Sequence, residues 1–579
     1  MVRSAHRRLF GDALLVAPLL AVAIAATAPS GCRRAASPSV APVSAPPARV
    51  TISLVGTNDL HGRIEALPPF GGYLANLRRA RARDGGAVLL VDAGDLFQGT
   101  LPSNLTEGAT VVRAYNTLGY AAAALGNHEF DFGPVGPAVM AKRPGDDPRG
   151  ALRARAAEAS FPFLDANLVD AATGAPPAWK NVVPDVLIEV AGIKVGIVGV
   201  ATTNTPRTTL AANFAGLAMK PLAPAITAAA ADLHRRGATV VIATAHAGSA
   251  CKRFDEPEHI DSCEPDGEIF QVARELAASG AVIDAIVAGH THEGVAHRVS
   301  GIPIVEAFAN GHDFSRIDLT VDRATGRAID ARIFPPQRIC APERCAGESY
   351  EGAPIVPDPA VEAAITPALD AARAQREQKL GVTVVAPIRR AQKVESPLGN
   401  LFADLMRAAR PGADVALTNG GGLRADLPAG PLTYGELFEA APFDNRFATI
   451  PITGADLTEA VARNLGRDNG IVSLSGVRAE ASCKEGALAV TLFRSDGRPI
   501  APRTRLTLVT SDFLATGGDG LFAEETKQRA KLDDGPPIRE AMADLLRARK
   551  APLTSGDPAL FDPAHPRIGY PGPRPVRCR

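Results

Sequence analysis

AVLLVDAGD (87–95) opens with five apolar residues and then stops at Asp92, with a second carboxylate, Asp95, across an Ala-Gly pair. A short Val- and Leu-rich run bounded by Gly and polar residues reads as a buried strand. The pattern recurs along the first half of the chain. VTISLVG (50–56) runs into TNDLHG (57–62), and the Ala-rich AAAAL (121–125) runs into GNHEFD (126–131). TVVIATAH (239–246) runs into AHAG (245–248), and VIDAIVAGH (282–290) into GHTH (289–292). In an open α/β sheet, ligands bind outside the carboxyl ends of the strands. Five strands ending this way would gather Asp59, His61, Asp95, Asn127, His246, His290 and His292 at one rim. A lone His or Asp after a strand is more often a turn or cap residue. Here the motifs hold five of the chain's eleven histidines, so they read as one site. Carboxylate, amide and imidazole donors suit a pair of divalent metals such as Zn, Mn, Fe or Co. His234, His259, His297, His312 and His565 lie outside the motifs and keep an ordinary reading.

A second set of motifs follows in the C-terminal half. SPLGNLFADLMRAA (396–409) opens a helical pattern at Ser396 and Pro397, and TNGGGLR (418–424) follows the strand-like DVALT. Its three glycines permit positive φ and close backbone approach, and Arg424 offers a planar fork for phosphate. PFDN (442–445) and SDFLATGGDG (511–520) place Phe443 and Phe513 beside loop residues, although aromatic residues are commonly core.

Together the two sets resemble the 5′-nucleotidase family, over about residues 50 to 579. The resemblance implies an α/β protein: a four-layer α/β/β/α metallophosphoesterase domain (50–335), a linker with a hinge helix (336–380) and a mixed α/β C-terminal substrate-binding domain (381–579). It implies one metal on Asp59, His61 and His292, another on Asn127, His246 and His290, and Asp95 between them. It makes His128 and Asp131 a catalytic dyad, the His acting on the phosphoryl group or the leaving oxygen and the Asp orienting it. Phe443 and Phe513 would sandwich a nucleobase, Asp519 would accept from ribose hydroxyls, and Asn419, Gly421 and Asn445 would contact base or sugar. Family members carry further phosphate-binding Arg before the stretch matching ESPLGN. Here that stretch offers Arg389, Arg390 and Lys393, none in register with the family pattern.

Between the halves, SRIDLTVDRATGRAIDARIFP (315–335) alternates as two strands around a turn at Ala324 to Gly326. PDPAVEAAITPALDAARAQREQKLG (357–381) predicts a helix with Gly381 as its C-terminal cap.

A length of 579 residues predicts two or more domains, and 46% apolar with 21% charged residues is ordinary for a globular protein. With 62 basic and 62 acidic residues, no global field favours a polyanion. A nucleic acid polymer is therefore not an expected partner, whereas a small nucleotide is. Arg3, Arg7 and Arg8 precede an apolar stretch from Leu14 to Ala28, a signal peptide ending in PSGC at Cys32, a candidate lipidation site. Residues 33–49, rich in Ala, Pro and Ser, read as a tether. The other six cysteines then suit an oxidising compartment, periplasmic or cell-surface. Their simplest pairing is Cys251 with Cys263, Cys340 with Cys345 and Cys483 with Cys578, one of fifteen connectivities.

The expectation is an exported, lipid-anchored two-metal hydrolase that removes phosphate from nucleoside 5′-monophosphates, and in a broader version also acts on nucleotide-sugars or other nucleotides. Two alternatives stand beside it. One is a 2′,3′-cyclic nucleotide phosphodiesterase/3′-nucleotidase or a thiosulfohydrolase of the same superfamily. The other is a nucleotide-binding surface lipoprotein without catalysis.

Overall fold

The computed structural model describes residues 48–578. The expected signal segment, Cys32 and nearly all of the tether lie outside the described residues. Arg49, the last residue of the expected tether, already pairs with Asp322 in the first strand, Arg49–Thr57.

Two sheets make up the N-terminal half. One has seven strands in the order Ala328–Arg338, Asp313–Asp322, Arg49–Thr57, Ala87–Asp92, Ala122–Ala124, Phe163–Leu164 and Val182–Val183. The other has six, in the order Gly294–Val299, Ile302–Ala307, Ala285–Ala288, Val240–His246, Ile193–Ala201 and Asp185–Val190. Successive side chains on a strand point to opposite faces, and the core clusters follow that rule. Ile52, Leu54, Leu89 and Val91 pack against Val195, Ile197, Val240 and Ile242 of the opposing sheet. Their neighbours Val55 and Leu90 turn outward to helices Leu67–Asp84 and Ala109–Leu118. Val241 and Ala243 do the same toward helices Leu222–Arg235 and Glu268–Ser279. The result is helix, sheet, sheet, helix. The strands read as unbroken apolar runs because both of their faces are covered.

The central strands of each sheet pair in parallel, which brings their carboxyl ends to a shared edge. Two hydrogen bonds join the sheets there. Thr244 Oγ1 donates to the Asp92 carbonyl at 2.7 Å, and His246 Nδ1 donates to the Ala93 carbonyl at 2.8 Å.

The C-terminal half is mixed α/β. Its five-stranded sheet runs Val472–Ser475, Val415–Asn419, Arg505–Ser511, Phe447–Thr453, Lys531–Leu532. Helices Pro397–Ala409 and Ile538–Ala548 cover one face, and helix Gly454–Leu465 the other.

Helix Pro359–Arg376 joins the halves, with the Asp358 side chain accepting from Ala360 N and Val361 N as its N-cap. Val361, Ile365 and Ala368 enter the N-terminal core, while Ala372 reaches the C-terminal one. Gly381 does not cap this helix. It lies inside strand Lys379–Val384 at φ 75°, where the pairing with Gly430–Thr433 shifts register. The helix ends at Arg376, Tyr434 N of the C-terminal half bonds the Gln378 carbonyl, and the strand begins at Lys379. Strand Ala328–Arg338 likewise continues past the expected domain edge at 335.

Cys251–Cys263, Cys340–Cys345 and Cys483–Cys578 are disulfides, with Sγ–Sγ distances of 2.04, 2.01 and 2.01 Å.

Candidate active site

The seven expected ligand residues meet at the edge where the parallel strands end. Asp59, His61, Asp95, His290 and His292 all have positive φ, between 48° and 80°. That region is costly for residues with a Cβ and persists where surrounding structure over-determines it. The surroundings are visible. Asp59 N donates to the Gly94 carbonyl, His61 N to the Asp95 carbonyl, and Gly62 N to the Leu96 carbonyl, so two ligand loops lace together. A Cβ on Gly126 would lie 2.1 Å from Asp95 Oδ1, which explains the glycine that opens GNHEFD.

The donors fall into two overlapping groups. Asp59, His61, Asp95 and His292 offer one; Asp95, His246 and His290 offer the other. In the first, His61 Nε2 and His292 Nε2 are 3.0 Å apart, and His292 Nε2 is 3.3 Å from Asp59 Oδ1. In the second, His246 Nε2 lies 3.1 Å from His290 Nδ1, 3.2 Å from Asp95 Oδ2 and 3.1 Å from Asn127 Oδ1. Asn127 Nδ2 donates to the Thr208 carbonyl at 3.1 Å, which turns Oδ1 toward the group.

These residues fit two cations. Asp59 Oδ1 is buried without a hydrogen-bond partner, while Oδ2 accepts from Asn58 Nδ2 and His290 N. His61 and His246 each spend Nδ1–H on a carbonyl, of Gln98 and Ala93, leaving Nε2 lone pairs aimed inward. A metal-ligating imidazole usually anchors its other ring N–H in this way, which fixes the tautomer and aims the free nitrogen. The charges point the same way. Burial would raise the Asp95 carboxyl, but His246 and His128 hold it well below the carboxylate range. Burial acts against charge on His246, yet Asp95 pushes that ring up to about 10, and burial together with His246 drives His290 down to about 3. The carboxylates thus demand positive charge where imidazole nitrogens converge, and metals meet that demand while displacing protons.

His128 and Asp131 stand beside this cluster, Nδ1 to Oδ2 2.5 Å. Burial lowers the His128 pKa, but Asp131 and Asp95 outweigh it and the net shift is upward. On its other side, Arg424 Nη2 lies 2.7 Å from Nε2, a contact in which the guanidinium donates to a neutral ring. An anionic oxygen entering between the two groups would replace that contact, taking a hydrogen bond from Arg424 and, once His128 is protonated, from Nε2 as well.

Both groups line a cavity of about 640 Å³ between the halves. Asn419, Gly421, Arg424, Phe443, Asn445, Phe513 and Asp519 all line it. Asn419 Nδ2 donates to Asp519 Oδ2 at 2.7 Å, and burial pushes Asp519 up to about 6. Arg424 lies 5.2 Å above the Phe443 ring, and Phe513 packs on Val139, Met140 and Leu210 of the N-terminal half.

Two readings need correction. Gly420–Gly422 form a 3-10 turn without positive φ; of the two reasons for the glycines, close approach is the one that applies. A Cβ on Gly420 would lie 2.9 Å from the Gln392 carbonyl. Arg389, Arg390 and Lys393 do not line the cavity. Arg389 faces Asp426, Arg390 Nη1 donates to the Leu423 carbonyl, and Lys393 pairs with Asp468. Of this stretch Gln392 lines the cavity, while the three basic side chains are spent on these partners beside it.

Several positioning residues escaped the sequence reading. Glu129 accepts from the backbone N of Asp95, Leu96 and Gly126, fixing two ligand loops with one carboxylate. Glu306 accepts from Thr291 N, Thr291 Oγ1 and Ser249 N, holding the His290–His292 turn to the loop after His246. Asn58 bonds Asp59 and the Phe308 carbonyl. Asn58 and Glu129 sit inside the motifs, where adjacency to a ligand was their only signal; Glu306 sits in an apolar strand, where an isolated acid was the signal.

Comparison with known proteins agrees with this geometry. The chain matches the calcineurin-like phosphoesterase model over residues 52–294 and the 5′-nucleotidase C-terminal domain model over residues 374–525. The chain belongs to the 5′-nucleotidase family. It is a metal-dependent phosphoester hydrolase of the group that includes Protein UshA. Protein UshA of Yersinia enterocolitica is 26% identical over 503 residues, 81% of this chain and 86% of its own. Endonuclease YhcR of Bacillus subtilis is 28% identical over 538 residues, 88% of this chain, and the match spans only 41% of that longer protein. The 5′-nucleotidase precursor from Thermus thermophilus superposes with a TM-score of 0.69 at 24% identity, covering 90% of this chain and 99% of its own. Sulfate thiohydrolase SoxB from the same organism superposes at 0.67 with 16% identity, covering 91% and 98%. These two likenesses speak to the fold alone.

Proposed function

We propose that the protein removes phosphate from nucleoside 5′-monophosphates. The observation that carries this reading is one cavity with metal donors at one end and the Phe443, Phe513 and Asp519 loops at the other. Asp59, His61, Asp95 and His292 would hold one divalent ion, and Asp95, Asn127, His246 and His290 the second. Bound there, the ions would supply electrophilic activation of the phosphoryl group and of water. Arg424 would hold a phosphoryl oxygen by two parallel N–H donors and replace its present contact with His128. His128, kept in orientation by Asp131, would hold the proton at Nε2 that the developing or departing oxygen needs. Phe443 and Phe513 would stack the base, which tolerates any base because each has a π face. The ring of Phe443 lies 5.4 Å from His128, so the base subsite begins where the phosphate subsite ends.

In this reading residues 50–335 cleave, 381–579 select, and 336–380 connect them. Export to the periplasm or cell surface rests on the N-terminal segment and on the three disulfides, and anchoring rests on Cys32. A relative named Cell wall protein Lmo0130, 27% identical over 565 residues, supports export.

The test is phosphate release by residues 49–579 from AMP, UDP-glucose, ATP and 2′,3′-cyclic AMP, each with EDTA and with added Mn²⁺ or Zn²⁺. Metal-dependent release from AMP is expected. Metal-dependent release from another substrate alone would overturn the reading of the base subsite. His128→Ala is expected to keep its metals and lose about a hundred-fold or more in kcat; unchanged turnover would remove the dyad from the mechanism.

A further inference from the structure

The cavity holds two guanidinium groups that the mechanism above does not use, Arg207 and Arg467. They come from opposite halves. Arg207 lies in the short helix Thr205–Thr208, which packs against the turn Gly518–Gly520. Arg467 Nη1 donates to the carbonyls of Asp519 and Gly520, at 3.0 Å each. Neither side chain forms an ion pair among the described residues, and the Arg207 guanidinium has no hydrogen bond there either. The nearby charges are committed: Arg463 pairs with Glu459, Asp468 with Lys393, and the Asp519 carboxylate accepts from Asn419. Burial and then the Arg207 charge lower the Arg467 pKa, so the two groups sense each other across the cleft. Like charges lining one cavity repel, and an anion bound between them would turn repulsion into attraction on both sides. Arg424 already serves the metal end, in contact with His128.

The location says what kind of anion. Arg467 grips the backbone of Asp519, whose side chain projects into the cavity as an acceptor for a vicinal diol. The same turn packs on the Phe513 ring. A nucleoside seated on Phe513 with its ribose at Asp519 would direct a substituent on the diol toward the guanidinium pair.

We propose that Arg207 and Arg467 form a second phosphate subsite, which accepts a phosphoryl group on the ribose 3′ oxygen of a 5′-nucleotide. This rests on the nucleotidase reading and adds a substrate class to it: nucleoside 3′,5′-bisphosphates, or 5′-phosphorylated dinucleotides in which the second phosphate is a diester. The 2′ hydroxyl stays with Asp519, and the 5′-phosphate is the group removed.

Two measurements test it on the holoenzyme and on EDTA-treated protein. The first is kcat/KM for AMP, adenosine 3′,5′-bisphosphate and the dinucleotide pApA. The second is calorimetric binding of the same three compounds without metal, which needs no turnover. The bisphosphate is expected to exceed AMP in both. Its ratio to AMP is expected to fall about ten-fold in Arg207→Ala and further in Arg207→Glu, with Arg467→Lys falling less than Arg467→Ala. Arg207 is exposed and off the core, so its variants report on charge rather than folding. A pApA preference equal to that of the bisphosphate assigns the subsite to diesters as well; a preference confined to the bisphosphate assigns it to terminal phosphate. If AMP binds and is cleaved but the bisphosphate is no better, or its ratio ignores Arg207→Glu, the subsite is refuted. If AMP neither binds nor is cleaved, the nucleotidase reading fails first and the subsite falls with it.

Discussion

Two sets of loops meet in the cleft, and they are held in place by different means. On the N-terminal side, five ligand residues adopt positive φ, all but His290 and His292 are buried, and buried carboxylates of Glu129 and Glu306 tie their backbones together. On the C-terminal side, Arg424, Phe443, Asn445 and Phe513 are half-buried, and of the substrate residues only Asp519 combines a side chain with positive φ. The metal rim is over-determined, whereas the recognition loops are supported mainly by packing and a few bonds. The chemistry should therefore fail sharply when the rim is disturbed, and the choice of substrate should shift gradually when the loops are.

The largest expected effect tests the first half of that contrast. Asp95→Ala removes the donor common to both groups. Metal content by mass spectrometry should fall from two ions per chain, and phosphate release should drop at least about a thousand-fold. Retention of both ions would mean the two groups do not share Asp95.

Glu306→Gln should act next most strongly. It keeps size but weakens the acceptor for Thr291 and Ser249, and burial already pushes the Glu306 carboxyl well above its usual range. Metal affinity should fall about ten- to a hundred-fold, read by competition with a chelator, while kcat at saturating metal changes less. If affinity does not move, the rim is not held from behind.

The smallest effect concerns stability under the rim. Burial raises Asp92, which accepts from Thr57, Tyr115 and Gly94, to about 8 from 3.8. Between those values the folded chain keeps a proton that the unfolded chain has released. The Asp92 contribution is therefore fully present below 3.8 and is lost as pH rises through about 8. Asp92→Asn abolishes that loss. The Tm of the variant minus that of the wild type, both in EDTA, should rise by roughly a few degrees from about pH 4 to about pH 8. A flat difference would mean Asp92 is ionised in the fold.

The same contrast explains what the sequence made legible. The layers followed from apolar runs such as TVVIATAH, and the ligand cluster followed because each run ends in a donor. A metal donor must be a particular residue type, so its identity survives in the sequence. Glu306 left only the trace of an isolated acid in an apolar strand, because its partners are two backbone N–H groups and the Thr291 hydroxyl, which no motif marks. Gly381 misled because a glycine after a helical pattern fits a C-cap as well as a strand irregularity, and the pairing with Gly430–Thr433, distant in sequence, is what distinguishes them. Arg389, Arg390 and Lys393 misled because basic residues near a motif do not reveal which way their loop faces, while Arg207 and Arg467 stood in no motif.

The central claim is that one half cleaves and the other chooses. Its most direct test is Phe513→Ala, assayed on AMP and on p-nitrophenyl phosphate, which carries no nucleobase. Loss of a stacking ring is expected to lower the AMP to p-nitrophenyl phosphate ratio of kcat/KM by about ten-fold or more. A fall of equal size on both substrates would contradict the division, because Phe513 would then be serving the reaction itself or the closure of the two halves rather than the choice of substrate.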